Sequence, residues 1–400
     1  MATHAFSKYP EFPVRSVAKR WPPLGLIPNK PHQNPGGAVF REQGYTMAIV
    51  EFDDQGVCYD RQQMHALAAA LPPLRGQGAV ILVFVHGWKH NGRSDDSNLE
   101  SFRKILAQTS LDAPGRPVLG AFVAWRGLSW YGPAFLPVEN ATFWSRKQAA
   151  LRVALGSVRE LLGRLREFRN DEVGKPGEPV LVIVGHSFGG LIVYSAVAQS
   201  LIEAAATQQG RVVPSFANLV LLVNPAFEAA RYLPVFEQIK DNDGFVPNQA
   251  PVFVSVTARN DEATRLAFPL GASLATIGDS TRGWRQRQAL LHTMGHLSWM
   301  RTHDLSAPGV SLRASRRPHS LPSKSARRTN LANSGGQEEW TSSRGALLRR
   351  LPAFPAENPF WVVRATPEVV DGHNGIFGDV FVGFVHDLVA THMAGAESKP

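Results

Sequence analysis

The stretch VLVIVGHSFGGLIVYSAVAQSLI, residues 180–202, decides the fold. Its first five residues are apolar and largely β-branched, the composition of a strand buried on both faces. Its last twelve have the apolar content and length of a buried helix. Between them GHSFGG contains Gly-x-Ser-x-Gly centred on Ser187. A strand–turn–helix junction this short leaves room only for small residues beside the serine, hence Gly185 and Gly189. It also presents the Ser187 hydroxyl at a helix N-terminus. The bland alternative is a glycine-rich turn with an incidental serine.

Outward from this junction the same alternation repeats. TMAIVEF (46–52), AVILVFV (79–85), PVLGAFVAW (117–125), NLVLLVN (218–224), PVFVSVT (251–257) and PFWVVRA (359–365) read as strands. Helical patterns lie between them at 60–71, 99–108, 144–168 and 191–205, and a last one near 377–391. Strands apolar on both faces that alternate with helices predict a mostly parallel sheet between helix layers, an α/β fold. About 100 residues separate the last two strands, far more than an ordinary crossover, so an insertion is expected there.

The chain has 400 residues, 44% hydrophobic and 19% charged, the composition of a packed globular protein. One cysteine, Cys58, excludes an intramolecular disulfide and a cysteine-rich zinc site. Cys58 is also too far from any histidine-containing motif to argue for a thiol nucleophile. No uninterrupted apolar run approaches bilayer length and the N-terminal residues show no apolar core of a signal peptide, so the expected compartment is the cytoplasm, with signal-less export left open. Net charge is +9, but residues 311–350 carry +7 of it. The basicity is thus local. It belongs to a Ser-, Arg-, Pro- and Gly-rich tract expected to be a mobile loop, with weak contact to an anionic membrane surface as its sharper reading. Nucleic acid is not expected, since no binding motif accompanies the tract.

At the level of motifs the chain resembles the α/β-hydrolase superfamily over residues 45–260 and 359–392, and looks closest to bacterial-type esterase-like proteins with a His-Gly-Trp loop. Besides GHSFGG, the string FVHGWKHN (84–91) is similar to the oxyanion loop after the third strand of such enzymes. The resemblance implies an oxyanion hole from the backbone N–H groups of Trp88 and Phe188. It also implies the chain order nucleophile, acid, histidine. His373, in DGHNGIFG after the last strand, is then the expected base, with His386 the runner-up. Asp261, in ARNDEAT after the strand before the insertion, is the expected acid, with Glu228 the runner-up. Trp125 and Arg126 are candidate pocket residues. His292, His296 and His303 give only a weak metal hint.

These readings divide the chain into a proline-rich arm (1–44), an α/β-hydrolase core (45–261 and 359–392), a cap or lid insertion (262–358, with the basic tract at 306–346) and a tail (393–400). The function implied is a serine hydrolase cleaving a small-molecule or lipid ester through an acyl-enzyme, with a lipophilic acyl group favoured by the apolar content of 266–300. Amidase, thioesterase or peptidase chemistry on the same triad, and a non-catalytic binding module, stay open. No cofactor is implied. Oligomeric state is not legible.

Overall fold

A computed structural model describes residues 39–127, 138–207, 210–242, 244–267, 280–308, 339–355 and 357–397. Eleven strands form one sheet: β1 Val39–Glu42, β2 Tyr45–Phe52, β3 Val80–Val85, β4 Val118–Trp125, β5 Val180–His186, β6 Leu219–Val223, β7 Phe253–Ala258, β8 His303–Ser306, β9 Glu339–Thr341, β10 Leu347–Arg350 and β11 Phe360–Ala365. Their spatial order is β1-β2-β4-β3-β5-β6-β7-β11-β8-β10-β9. From β2 to β8 every neighbouring pair is parallel. The two outer edges are antiparallel.

The central strands show why the sequence takes this form. All six residues of β3 are buried. Ile81, Val83 and Val85 join one core cluster, while Val80, Leu82 and Phe84 join the other. That is the two-residue alternation of a strand with a helix layer on each face. On one face lie α1 Arg61–Ala69, α3 Val138–Leu155, α4 Val158–Glu172, α5 Phe188–Ala205 and α6 Leu233–Ile239. On the other, α2 Ser97–Asp112 contributes Leu99, Phe102 and Leu106, and the last helix contributes Phe381, Phe384 and Leu388. That helix, Asp379–Glu397, is α8, and α7 is Trp284–Leu291. Helix α5 is apolar enough over its 18 residues to cross a membrane, yet it is mostly buried as the central core helix.

Three features differ from the sequence reading. The helix expected over 144–168 is two helices that meet at Gly156 and Ser157. A Cβ on Gly156 would collide with the Gly56 carbonyl, and the Ser157 N–H donates to that same carbonyl at 2.7 Å. The corner is set by a contact with a turn a hundred residues earlier, which no local pattern reveals. Next, the stretch 262–358, expected as a cap, places β8, β10 and β9 in the sheet. β8 pairs in parallel with β11, and β10 and β9 fold back antiparallel. These strands are three or four residues long and only partly buried, so they carry no long apolar run. Lastly, residues 39–42 of the expected arm form β1, and residues 393–397 of the expected tail belong to α8. The rest of the arm (1–38), the apolar segment 268–279 and most of the basic tract (309–338) lie outside the described residues.

The α3–α4 corner yields a paired expectation. Gly156→Ala forces backbone apart and is expected to cost about 1–3 kcal/mol. Gly163→Ala, inside α4 with nothing within 4 Å of the new methyl, is expected to gain about 0.5–1 kcal/mol. Thermal unfolding of the two variants should move in opposite directions. A shared direction would mean that the corner is not set by the Gly56 contact.

Candidate active site

The site is assembled at the carboxyl ends of β5, β7 and β11. Ser187 sits between β5 and α5 with φ +55 and ψ −119, in a backbone region that non-glycine residues rarely adopt. Tight contacts hold it there. A Cβ on Gly185 would lie 2.7 Å from the Gly189 carbonyl oxygen, and one on Gly189 would run into the Val85 carbonyl at the end of β3. The Ser187 N–H donates to the Val223 carbonyl at 3.0 Å, which ties the turn to β6. The strain at Ser187 is therefore imposed by three converging backbones.

His373 and Asp261 meet this serine. The Ser187 hydroxyl donates to Nε2 of His373 at 2.8 Å. Nδ1–H of His373 lies 2.9 and 3.0 Å from the two carboxylate oxygens of Asp261. That pairing assigns the Nδ1–H tautomer and leaves Nε2 free to accept. Asp261 is 0% exposed. Burial alone would raise its pKa, but the His373 hydrogen bond and the donors of Thr264 outweigh it and hold the carboxyl below its ordinary value. The Thr264 hydroxyl donates to Oδ2 at 2.6 Å and its N–H to Oδ1 at 3.1 Å. With its proton committed there, the same hydroxyl accepts Nε2–H of His296 at 2.9 Å. A hydrogen-bonded chain thus runs from His296 through Thr264, Asp261 and His373 to Ser187.

The His-Gly-Trp loop lies against the serine. A Cβ on Gly87 would come 2.8 Å from the Ser187 Cβ, so this position has to be glycine. Nε2 of His86 accepts the Trp125 N–H at 3.1 Å, which assigns its proton to Nδ1, and Nδ1–H donates to the Gly87 carbonyl at 2.9 Å. The Trp125 indole N–H donates to the His86 carbonyl at 2.9 Å. Trp125 is a buried residue that clamps this loop. Phe188 occupies the first position of α5, where an amide N–H has no acceptor within the helix. Around it the rings of Trp88, Phe143, Phe188 and Trp125 pack into an aromatic cluster, with Phe143 and Phe188 centroids 4.8 Å apart.

The runner-up residues are engaged elsewhere. Glu228 forms an ion pair with Lys147 and a second with Arg231. His386, on α8, faces Asp112 and Asp387. Arg126 pairs with Asp54, which also holds Arg146. His303 lies buried beside Thr302. Among the described residues no group of three or more His, Cys, Asp or Glu side chains could hold a metal ion. Sequence reasoning gave no role to Gly87, Thr264, His186 and Asn224, and took His296 only as a weak metal hint. Gly87 and His186 stood inside quoted motifs. Thr264, three residues after Asp261, fits an Asp-x-x-Thr turn.

No protein-family model matches this chain. No curated protein matches it either. Among solved structures, the chain is similar in part to the phospholipase PlaB from Legionella pneumophila in complex with thio-NAD, at 16% identity and a TM-score of 0.25. The match covers 57% of this chain and 46% of PlaB, so the chain spans about half the length of that protein. A likeness so loose assigns no activity here.

The buried histidines set an acid limit. Burial lowers His86, His296 and His392 to about 4 and His186 and His303 to about 3, against an ordinary value of 6.5. Below pH 6.5 the unfolded chain binds protons there that the folded chain does not, so stability falls as pH drops from 6.5 toward 4. The loss is at most about 1.4 kcal/mol per pH unit for each such histidine. Asp261 adds to it only as pH falls below 3.8. His386, raised by its Asp387 hydrogen bond, works in the opposite sense, while burial lowers His292 as well. The urea midpoint is expected to be markedly lower at pH 5 than at pH 7, and an unchanged midpoint would contradict the burial of neutral imidazoles.

Proposed function

We propose that this chain is a serine hydrolase of the α/β-hydrolase type that cleaves carboxylic esters through an acyl-enzyme. The observation that carries the reading is the hydroxyl–imidazole–carboxylate line, with 2.8 Å from Ser187 to His373 and 2.9 Å from His373 to Asp261. Ser187 Oγ attacks the ester carbonyl while Nε2 of His373 takes its proton. Asp261 stabilises the imidazolium and keeps the ring in the productive tautomer. The N–H groups of Trp88 and Phe188 receive the negative oxygen of the tetrahedral intermediate, a contribution of about 3 kcal/mol per donor in comparable sites. His373 then returns the proton to the leaving alkoxide and the alcohol departs. Water repeats the sequence on the acyl-enzyme and releases the acid.

The strained backbone at Ser187 supports a nucleophile over a structural serine. A φ of +55 at a non-glycine residue is costly. An ordinary hydroxyl would gain nothing from it. The aromatic cluster of Trp88, Phe143 and Phe188 beside the serine favours an apolar acyl group over a short polar one. Amide and thioester substrates would use the same groups in the same order.

Labelling with a fluorophosphonate probe, in which Oγ displaces fluoride from phosphorus, tests the nucleophile. Wild type is expected to label and Ser187→Ala not to. Hydrolysis of p-nitrophenyl esters of increasing chain length tests the acyl preference, with an optimum expected beyond acetate and butyrate. A folded wild type that neither labels nor hydrolyses any of these esters would refute the hydrolase reading. An optimum at acetate would refute only the apolar preference.

A further inference from the structure

The backbone carbonyl of His373 is held by two side chains that the proposed chemistry leaves unused. Nδ2 of Asn224 donates to it at 2.8 Å, and Nε2–H of His186 donates to it at 2.9 Å. The other Asn224 contacts close the arrangement. Nδ2 also reaches the Gly372 carbonyl at 3.0 Å, and Oδ1 accepts the Ala258 N–H at 2.8 Å. Asn224 is 0% exposed and has φ +46, a conformation that asparagine tolerates better than most residues. On the preceding peptide, Asn260 Oδ1 accepts the Gly372 N–H at 2.9 Å and Nδ2 donates to Asp371 at 2.8 Å.

The placement of these anchors in the chain is informative. His186 is the residue before Ser187, and Asn260 is the residue before Asp261. Asn224 follows β6, the strand that lies between β5 and β7. The loop bearing His373 is therefore tied to the neighbours of both groups that its imidazole must touch. Asp261 fixes the rotation of the ring through Nδ1, but rotation alone does not fix the reach of Nε2 toward Ser187. That reach depends on where the His373 backbone stands, and its carbonyl is the atom held. His186 supplies its donor as a neutral ring, since burial lowers it to about 3, so it adds no charge beside His373, whose ring centroid is 5.1 Å away.

We propose that Asn224 is a positioning residue, which sets through the His373 carbonyl the distance and angle at which Nε2 meets the Ser187 hydroxyl. This rests on the hydrolase reading above. A merely structural Asn224 would stabilise the fold without affecting the reactivity of the folded molecule.

The test compares three variants of the full chain. Asn224→Gly keeps the positive φ and removes both donors. Asn224→Asp keeps the shape and the acceptor for Ala258 but loses the donors, and serves if Asn224→Gly does not fold. Phe102→Leu, a core change in α2, is the control for lost stability alone. At a temperature where each is folded by circular dichroism, fluorophosphonate labelling of the folded Asn224 variants is expected to slow about tenfold or more. Their kcat should fall with KM nearly unchanged. Phe102→Leu should label at the wild-type rate. A folded Asn224→Gly or Asn224→Asp that labels within about twofold of wild type would overturn the proposal. Equal slowing in Phe102→Leu would overturn it too. Absence of labelling and turnover in wild type itself would instead remove the hydrolase reading, a result distinguishable because no variant is needed to see it.

Discussion

The constraint on which the rest depends is the close approach of the first turn of α5 to the end of β3. Gly189 has no Cβ because the Val85 carbonyl occupies that space, and Gly87 has none because Ser187 does. Those two absences let β3, β5 and α5 converge closely enough to push Ser187 into a left-handed conformation. The convergence brings the His-Gly-Trp loop alongside the serine and aims the start of α5 at the same spot. A methyl group at either glycine would separate the elements, and the imidazole and carboxylate would then have nothing to serve. The buried alternation of Val80–Val85 makes this approach affordable, since the two helix layers grip β3 on both faces.

Electrostatics complete the site by keeping charge scarce. Asp261 is a buried carboxylate, and it accepts from the His373 ring and twice from Thr264. A carboxylate so placed stays ionised because its donors outweigh its burial. The histidines around it are different. His86, His186 and His296 are held neutral, and each has a defined donor: Nδ1–H to Gly87, Nε2–H to His373, Nε2–H to Thr264. They act as rigid polar struts that add no competing cation. Under the proposed chemistry an imidazolium on His373 would meet the Asp261 carboxylate and no positive charge from these three rings, an environment that would favour its formation.

How much of this the sequence disclosed depends on the range of each interaction. The runs 80–85, 180–186 and 253–258 are legible because burial on both faces writes itself into consecutive residues. Ser187 is legible for the same reason, since its turn is closed by glycines two positions away on each side. Asp261 and His373 are 112 residues apart and no local pattern pairs them; chain order within a resembled superfamily did so. Asn224 looked like the end of a strand, and its partners stand 34, 148 and 149 residues further along. The break at Gly156 depends on Gly56 in the same way. Short strands such as HDLS and LLRR hold their conformation through partners rather than propensity, so no local pattern marks them as strands.

The pairing of β8, β9 and β10 gives the insertion a part in the sheet. β8 lies beside β11 in parallel, with Val363 opposite His303 and Ala365 opposite Leu305. The ladder continues past the strand, where the Thr366 N–H donates to the Leu305 carbonyl at 2.9 Å. β11 delivers the loop that bears His373, and without β8 it would be an edge strand with one row of backbone groups unpaired. The Thr302 hydroxyl adds a further tie, accepting the Val362 N–H at 2.9 Å. The insertion's described strands thus brace the histidine-bearing strand from its outer side, as β7 does from its inner side through six paired residues. His296 comes from the same insertion and ends the chain of hydrogen bonds behind Asp261. The described part of this segment contributes to the rigidity of Asp261 and His373.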